Sequence, residues 1–567
     1  MLLLHCLSDA HSRYSHYLAA ILRLEGFADF AEADLATVDP TLLARHDLLL
    51  LPRFSPTAEQ ADWLEAYVVN GGKLIALMPD AHLARRFGVD PTWRTIDNGW
   101  LQPNAEDATL AGLCCEPIQI VTPALGWIVG EAATILGWAT PGAQPEGKVP
   151  ALVRCPLGKG EAILVSYDLA QAVARLRQGN PEHADLAYAG LDGIFRPSEL
   201  FVGQMGEGQM LLPQADLHTA LLARLVETLA PRPRLWYYPQ ASQQSVIIMT
   251  SDDDWSSLDQ FEILLAGLRK RQATCTFYVV PETHLTRSLM DRWEGEGHSF
   301  SVHPALADDI RTLQVKAEPQ VTQVPGMLRQ NVERHQAQFG RGVQTIRQHA
   351  VRWLGYVEAA RLLADLGVQM ETNYISVHPF PLGYMAGSGR PLPFVDTTGE
   401  IIPVYQQPTH WTEEVLIHPG FVFSFKWSVA KALDVVGKIL QRAAHEFYTP
   451  ICFNSHPVSF ATYSSPLIEG SWDRALAQGM TILSADAWLA WTQARNGVQI
   501  EAQDEGWLVR SNATISSLTL LFPASAKISA AQATTQEKVL WGQRYTVLEL
   551  KDLSAQERRW IKRERTS

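Results

Sequence analysis

The sequence predicts a multidomain α/β protein: a parallel α/β sheet first, a (β/α) barrel in the middle and a small antiparallel β domain last. Three observations support this. The chain has 567 residues, and its length alone suggests about three domains. Short apolar runs alternate with helical patterns over residues 1–235 and again over 236–495. Residues 496–567 change to every-second-residue alternation with turn signals between the runs.

In the first region "MLLLHCL", "HDLLLLPR" and "KLIALMP" read as strands. "SHYLAAILRLEGF" and "AEQADWLEAYVVNGG" read as helices ended by Gly26 and by Gly71-Gly72. Uninterrupted apolar strands are expected where helices cover both faces of a parallel sheet. The order over residues 1–90 resembles a class I glutamine amidotransferase-like domain, a flavodoxin/amidotransferase-like sheet. Catalytic members of that family carry a Cys on the turn after the strand placed here at "LIALMP". The turn reads Met78-Pro79-Asp80, so the resemblance implies a non-catalytic domain at 1–235, serving as a scaffold or a homo-oligomer module. "KGEAILVSYDL" is expected to return to the same sheet as an added strand.

"APRPRLWYYPQASQQS" is Pro-rich and polar and reads as a linker. Beyond it, "SVIIMTS", "ATCTFYVVP", "SFSVHP", "QTIRQH", "VQMETNY" and "TPICFNSHP" are strand candidates. "LDQFEILLAGLRKR", "YVEAARLLADLG", "VAKALDVVGKILQRAAHE" and "SADAWLAWTQARNG" are helical. Repeated strand–helix units of this kind predict a (β/α) barrel over 236–495, complete or not, with its chemistry at the C-terminal strand ends. Residues 496–567 are expected to form the small β domain, with "SAQERRWIKRERTS" as a polar final helix or tail.

Composition excludes several classes of function. The net charge is −13, with no Lys/Arg cluster to track phosphates, which argues against nucleic acid and anionic membranes as partners. The N-terminus lacks a basic region followed by a long apolar core, so no signal peptide is expected, and no apolar stretch is long enough to span a bilayer. The six cysteines, Cys114 and Cys115 among them, are expected as reduced structural thiols in a cytoplasmic protein.

The chemistry collects at strand ends. In "IIMTSDDDWSS", residues 247–257, three carboxylates stand side by side directly after an apolar run, and crowding like charges there is costly unless a solvated turn or a cation offsets it. His303 ends another strand candidate, Arg347 and His349 a third, and His456 a fourth. Around one barrel mouth, carboxylates and imidazoles make a ligand set for Zn²⁺ or a similar divalent ion.

These residues resemble the NodB-homology polysaccharide deacetylases. Thr250-Ser251-Asp252-Asp253-Asp254 stands where that family has T-F-D-D-G. The resemblance implies Asp252 as general base and Asp253 as metal ligand. "GHSFSVH" matches the second motif, implying His303 as a ligand and His298 as a structural residue. "NSHP" implies His456 as general acid. The family's second ligand His falls on Ala307, and its R-x-P-Y motif reads "RQHAVRW". His349 is therefore expected to complete the metal site, with Asp254 or Asp308 as alternative third ligands, while Arg347 holds Asp252 ionised. Trp255 and Tyr374 are candidate sugar platforms, although packing is the commoner role for such aromatics. His378, His410 and His418 read as loop residues. The function implied is a metal-dependent hydrolase that removes an N- or O-acyl group from a carbohydrate or related substrate. The alternative is a catalytically silent carbohydrate-binding or assembly protein that retains the barrel.

Overall fold

The computed structural model describes residues 1–6, 8–104, 106–113, 116–144, 146–186, 193–204, 207–306, 320–377 and 379–564. Cys114, Cys115, Ala307, Asp308 and His378 lie outside the described residues. The protein is a mixed α/β molecule with several sheets, one of them curled into a partial barrel.

The N-terminal sheet has nine strands. Its parallel half runs β2 (Ala31–Asp34), β1 (Leu2–His5), β3 (Leu48–Leu51), β4 (Lys73–Leu77) and then Gly160–Val165, the returning strand. All four side chains of β3 are fully buried because both faces are covered. Leu48 and Leu50 face a core shared with α1 (Ser15–Leu24) and the helix Gln214–Leu229, while Leu49 and Leu51 face the helix Ala58–Val69. A reciprocal Thr57–Gln60 capping box starts that last helix. The sheet is not parallel throughout. Val149–Leu157, Thr134–Thr140, Trp100–Pro103 and Ile118–Gln119 extend it as antiparallel hairpins. The Pro, Gly and Thr scattered through 89–157 break the apolar runs and hid these strands. At the end of β4, Met78 adopts a left-handed φ of 44°. The sharp strand-to-helix turn is thus present, but it carries a thioether that cannot serve as an acyl nucleophile.

In the middle region all six strand candidates form, as Val246–Asp252, Thr276–Val279, Ser299–Val302, Thr345–Ile346, Met370–Glu371 and Ile451–Ser455. They pair in parallel in spatial order. Trp411–Thr412 adds to Ile451–Ser455, and an isolated Ile375–Thr409 bridge draws the two sides of the curl together. The C-terminal ends of these strands therefore converge on one mouth.

Two four-stranded sheets enclose a separate core at the C-terminal end. The expected final helix is instead a strand, Arg558–Arg563, paired with Gly506–Ser511. Ile561 faces the core, and Arg559 donates to the Ala531, Lys551 and Asp552 carbonyls. The Pro-rich crossing is buried rather than loose: Arg234–Leu235 pairs with Leu520–Leu521 of the C-terminal region, and Trp236, Tyr237 and Tyr238 are enclosed. Among the described residues, no helix is long and apolar enough to cross a membrane.

Candidate active site

The strand ends open onto a cavity of about 450 Å³ whose wall includes Asp252, Asp254, His303, Arg347, His349 and His456. Asp252 is the last residue of its strand and is 5% exposed. Its Oδ1 accepts from Arg347 Nη1 at 3.2 Å and its Oδ2 from Asn454 Nδ2 at 2.8 Å. Arg347 is fully buried and also donates to Thr250, Asn454, Thr409 and the Thr372 carbonyl. With both oxygens tied down, the carboxylate is fixed in orientation.

Asp254, not Asp253, is the second acid of the cavity. The strand ends at Asp252, and Asp252 and Asp254 line the cavity while Asp253 does not. Asp253 Oδ1 accepts from the Ser256 amide at 3.1 Å. Burial, reinforced by the neighbouring Asp254 charge, pushes its carboxyl up to about 7. Asp254 has a left-handed φ of 42° and Trp255 one of 57°, the conformation that favours glycine, and the resembling motif carries Gly at this place. Asp253 is not part of the cavity lining as the side chains stand, and like Asp254 it has one buried oxygen without a hydrogen-bond partner.

Asp254 Oδ1 lies 3.2 Å from His303 Nε2 and has no hydrogen-bond partner. Burial works against its charge, but His456, His303 and His349 outweigh it and hold the carboxyl well below the usual range. His303 Nδ1 meets the Arg347 carbonyl at 2.7 Å, which fixes the ring and leaves Nε2 to the cavity. Burial disfavours charge on His303, yet the Asp252 and Asp254 carboxylates raise its pKa. The His349 ring stands edge-on to His303, with centroids 5.6 Å apart, on a loop whose Ala350 and Val351 have φ of 56° and 46°. Left-handed backbone at a β-branched residue is strained, and such strain concentrates at functional sites.

His456 follows the strand Ile451–Ser455. Its Nδ1 and its backbone amide both lie 2.8 Å from Glu413 Oε1. Its Nε2 faces Asp254 Oδ2 at 3.6 Å and Asp252 Oδ2 at 3.9 Å. Burial opposes its charge, but Glu414, Glu413 and Asp254 together raise its pKa well above the ordinary value.

Sequence reasoning missed Glu413, Glu414 and Asn454. The signal for the first two was weak, because "QQPTHWTEE" sets the two acids after a mostly polar stretch rather than after an apolar run as in "IIMTSDDD". Reasoning also missed Arg196 and Glu199, which bring the N-terminal region into the cavity wall. Arg196 Nε donates to the Ala350 carbonyl at 3.0 Å, and its guanidinium lies 5.3 Å from the centre of the Phe423 ring. Of the expected platforms, Tyr374 is 1% exposed and packs among Trp353, Phe394 and Phe201. It is a core residue, enclosed because its strand end turns into the barrel wall. Trp255 lies edge-on to His349, with centroids 5.3 Å apart. Phe421 and Phe423 line the cavity instead. His298 accepts from the Cys275 amide at 3.2 Å, outside the cavity lining.

No family model matches the chain, and no curated protein matches it. Solved structures do resemble it. Agd3, a carbohydrate deacetylase, aligns over 99% of both chains with 10% identity and a TM-score of 0.43. A polysaccharide deacetylase structure from Mycobacterium smegmatis aligns over 45% of this chain and 92% of its own, with 14% identity and a TM-score of 0.33. A ThuA-like protein from Bacteroides uniformis aligns over 30% of this chain and 80% of its own, with 14% identity and a TM-score of 0.24. Carbohydrate deacetylases are thus among the structural neighbours of this chain, and what the cavity can do is decided by its own side chains.

Proposed function

We propose that the protein is a hydrolase that removes an acyl group, as an amide or ester, from a carbohydrate. The observation that carries this reading is the Asp252–His456 pair: a carboxyl group and an imidazole 3.9 Å apart on neighbouring strand ends, each fixed by its own buried partner. Asp252 is positioned to take a proton from water as that water attacks the acyl carbon. His456, with Nδ1 engaged by Glu413, presents Nε2 to donate a proton to the departing nitrogen or oxygen. The cavity is large enough for about one or two sugar rings, and Phe421 and Phe423 offer apolar faces to them.

Asp254, His303 and His349 would be the donors to a divalent ion of the zinc type after side-chain rotation, since as they stand they are not among the groups whose ligand atoms all converge within 4.8 Å. When bound, the ion would polarise the acyl carbonyl and make water a better nucleophile.

Amides and activated esters separate the roles. An amine is a poor leaving group and needs the acid, whereas 4-nitrophenolate does not. His456→Ala is expected to lower acetate release from an N-acetylated oligosaccharide about 10²–10⁴-fold and to lower 4-nitrophenyl acetate hydrolysis far less. Equal losses on both substrates would remove His456 as the acid. Failure of the wild type to release acetate from any acylated sugar would remove the reading.

A further inference from the structure

A second cluster lies far along the chain from the barrel motifs, on the N-terminal sheet. His5 ends β1 and Glu32 lies in β2, the edge strand. The parallel register sets Leu3 opposite Glu32 and His5 opposite Asp34. Residues two apart on one strand share a face, so His5 and Glu32 stand diagonally on the same face of the sheet. α1 packs on that face and brings His16 from its first turn.

The spacing is that of a ligand set. The ligand atoms of His5, His16 and Glu32 all lie within 4.8 Å of one another, and among the described residues this is the group of His, Cys, Asp and Glu side chains that does so. His5 Nε2 is 3.0 Å from Glu32 Oε2, and the His5 and His16 ring centroids are 4.5 Å apart. Glu32 Oε1 is engaged by Arg23, one helical turn pair further along α1, which leaves Oε2 for the cluster. His5 is 4% exposed and its Nδ1 has no hydrogen-bond partner, so a buried imidazole stands half-used.

We propose that His5, His16 and Glu32 bind a divalent transition-metal ion of the zinc class, separate from the barrel and independent of the function proposed for it. Two imidazoles and one carboxylate leave a fourth position open for water, a set that suits Zn²⁺ and binds Cu²⁺ or Ni²⁺ as well. Coordination through Nε2 places the ring proton of a neutral His5 on Nδ1, the nitrogen that has no hydrogen-bond partner now. The ion ties an edge strand, its neighbour and a helix together. Edge strands have a single partner and fray first, so this is where a clamp adds most. Because the three ligands converge only in the folded chain, the ion stabilises the fold by mass action.

The test uses the full chain with any polyhistidine tag removed, and zinc chloride as the probe. Equilibrium dialysis with elemental analysis counts bound zinc in the wild type, in His16→Ala, in Asp254→Asn/His349→Ala and in the combined triple variant. His16 is exposed, so its replacement leaves the fold intact, and His16→Gln serves as a second check. The expectation is one equivalent in Asp254→Asn/His349→Ala, lost in the triple variant, with a zinc-dependent rise in Tm that His16→Ala abolishes. The proposal is overturned if His16→Ala and His16→Gln leave stoichiometry and the Tm response unchanged, or if Asp254→Asn/His349→Ala binds no zinc. Failure of the barrel site alone reads differently: the wild type then binds one equivalent, and His16→Ala removes it.

Discussion

At the residue scale, position in the cavity wall decided more than motif matching. A residue-by-residue match to a family pattern puts the ligand at Asp253. The cavity lining takes in Asp252 and Asp254 instead, with Asp254 in a left-handed turn just past the strand end. The run "SDDDW" did not contain the partner of His456, because Glu413 approaches from a separate strand end 43 residues earlier in the chain. Glu413 orients His456 through its Nδ1 and amide, so Glu413→Gln is expected to lower kcat while leaving KM nearly unchanged, since nothing in the role concerns ground-state binding. Steady-state kinetics would show this, and a rise in KM at constant kcat would point to sugar binding instead.

At the scale of elements, the strands that could be read were the bounded apolar ones. The hairpin Leu392–Val395 with Ile401–Gln406 escaped because Pro and Gly interrupt it, and Arg558–Arg563 escaped because its charges mask one core-facing Ile561. The crossing near residue 235 was hidden for a different reason. Its polarity reflects buried pairing rather than exposure. Glu25, at the end of α1, is fully buried and takes Arg234 Nη1 at 3.1 Å, Arg390 Nη1 at 3.0 Å and the hydroxyls of Thr219 and Tyr237. One carboxylate thus joins the N-terminal helix, the crossing and the barrel. Glu25→Ala would leave the buried Arg390 without its ion-pair partner and Arg234 with Glu227 alone, and a loss of about 3–5 kcal/mol is expected in denaturant unfolding. A change below about 1 kcal/mol would mean that water reaches the cluster.

At the scale of the molecule, the fold carries a built-in acid sensitivity. His218, His298, His335 and His410 are held by burial at a pKa of about 4, against 6.5 for the free side chain. The unfolded chain therefore takes up protons near pH 6.5 that the folded chain refuses until about pH 4. Stability falls as pH drops through that window, by at most roughly 3 kcal/mol per histidine. Because the buried carboxyls of Asp253 and Glu371, pushed up to about 7 and about 8, act in the opposite sense over the same window, the check is made site by site: NMR titration should find these four imidazoles neutral down to about pH 4, and protonation near pH 6.5 would contradict the buried neutral state. The general layout and the Asp- and His-bearing strand ends of the barrel were legible because each is written in a local period. The wall formed by Arg196 and Glu199 was not, because it depends on how distant regions pack. The central claim is that Asp252 and Asp254, facing one cavity with His456, perform acyl hydrolysis while Asp253 does not. Its most direct test is acetate release from one N-acetylated oligosaccharide by Asp252→Asn, Asp253→Asn and Asp254→Asn side by side. The account predicts losses of about 10²-fold or more for the first and third and near wild-type rates for the second. Full activity in Asp254→Asn, or loss confined to Asp253→Asn, would contradict it.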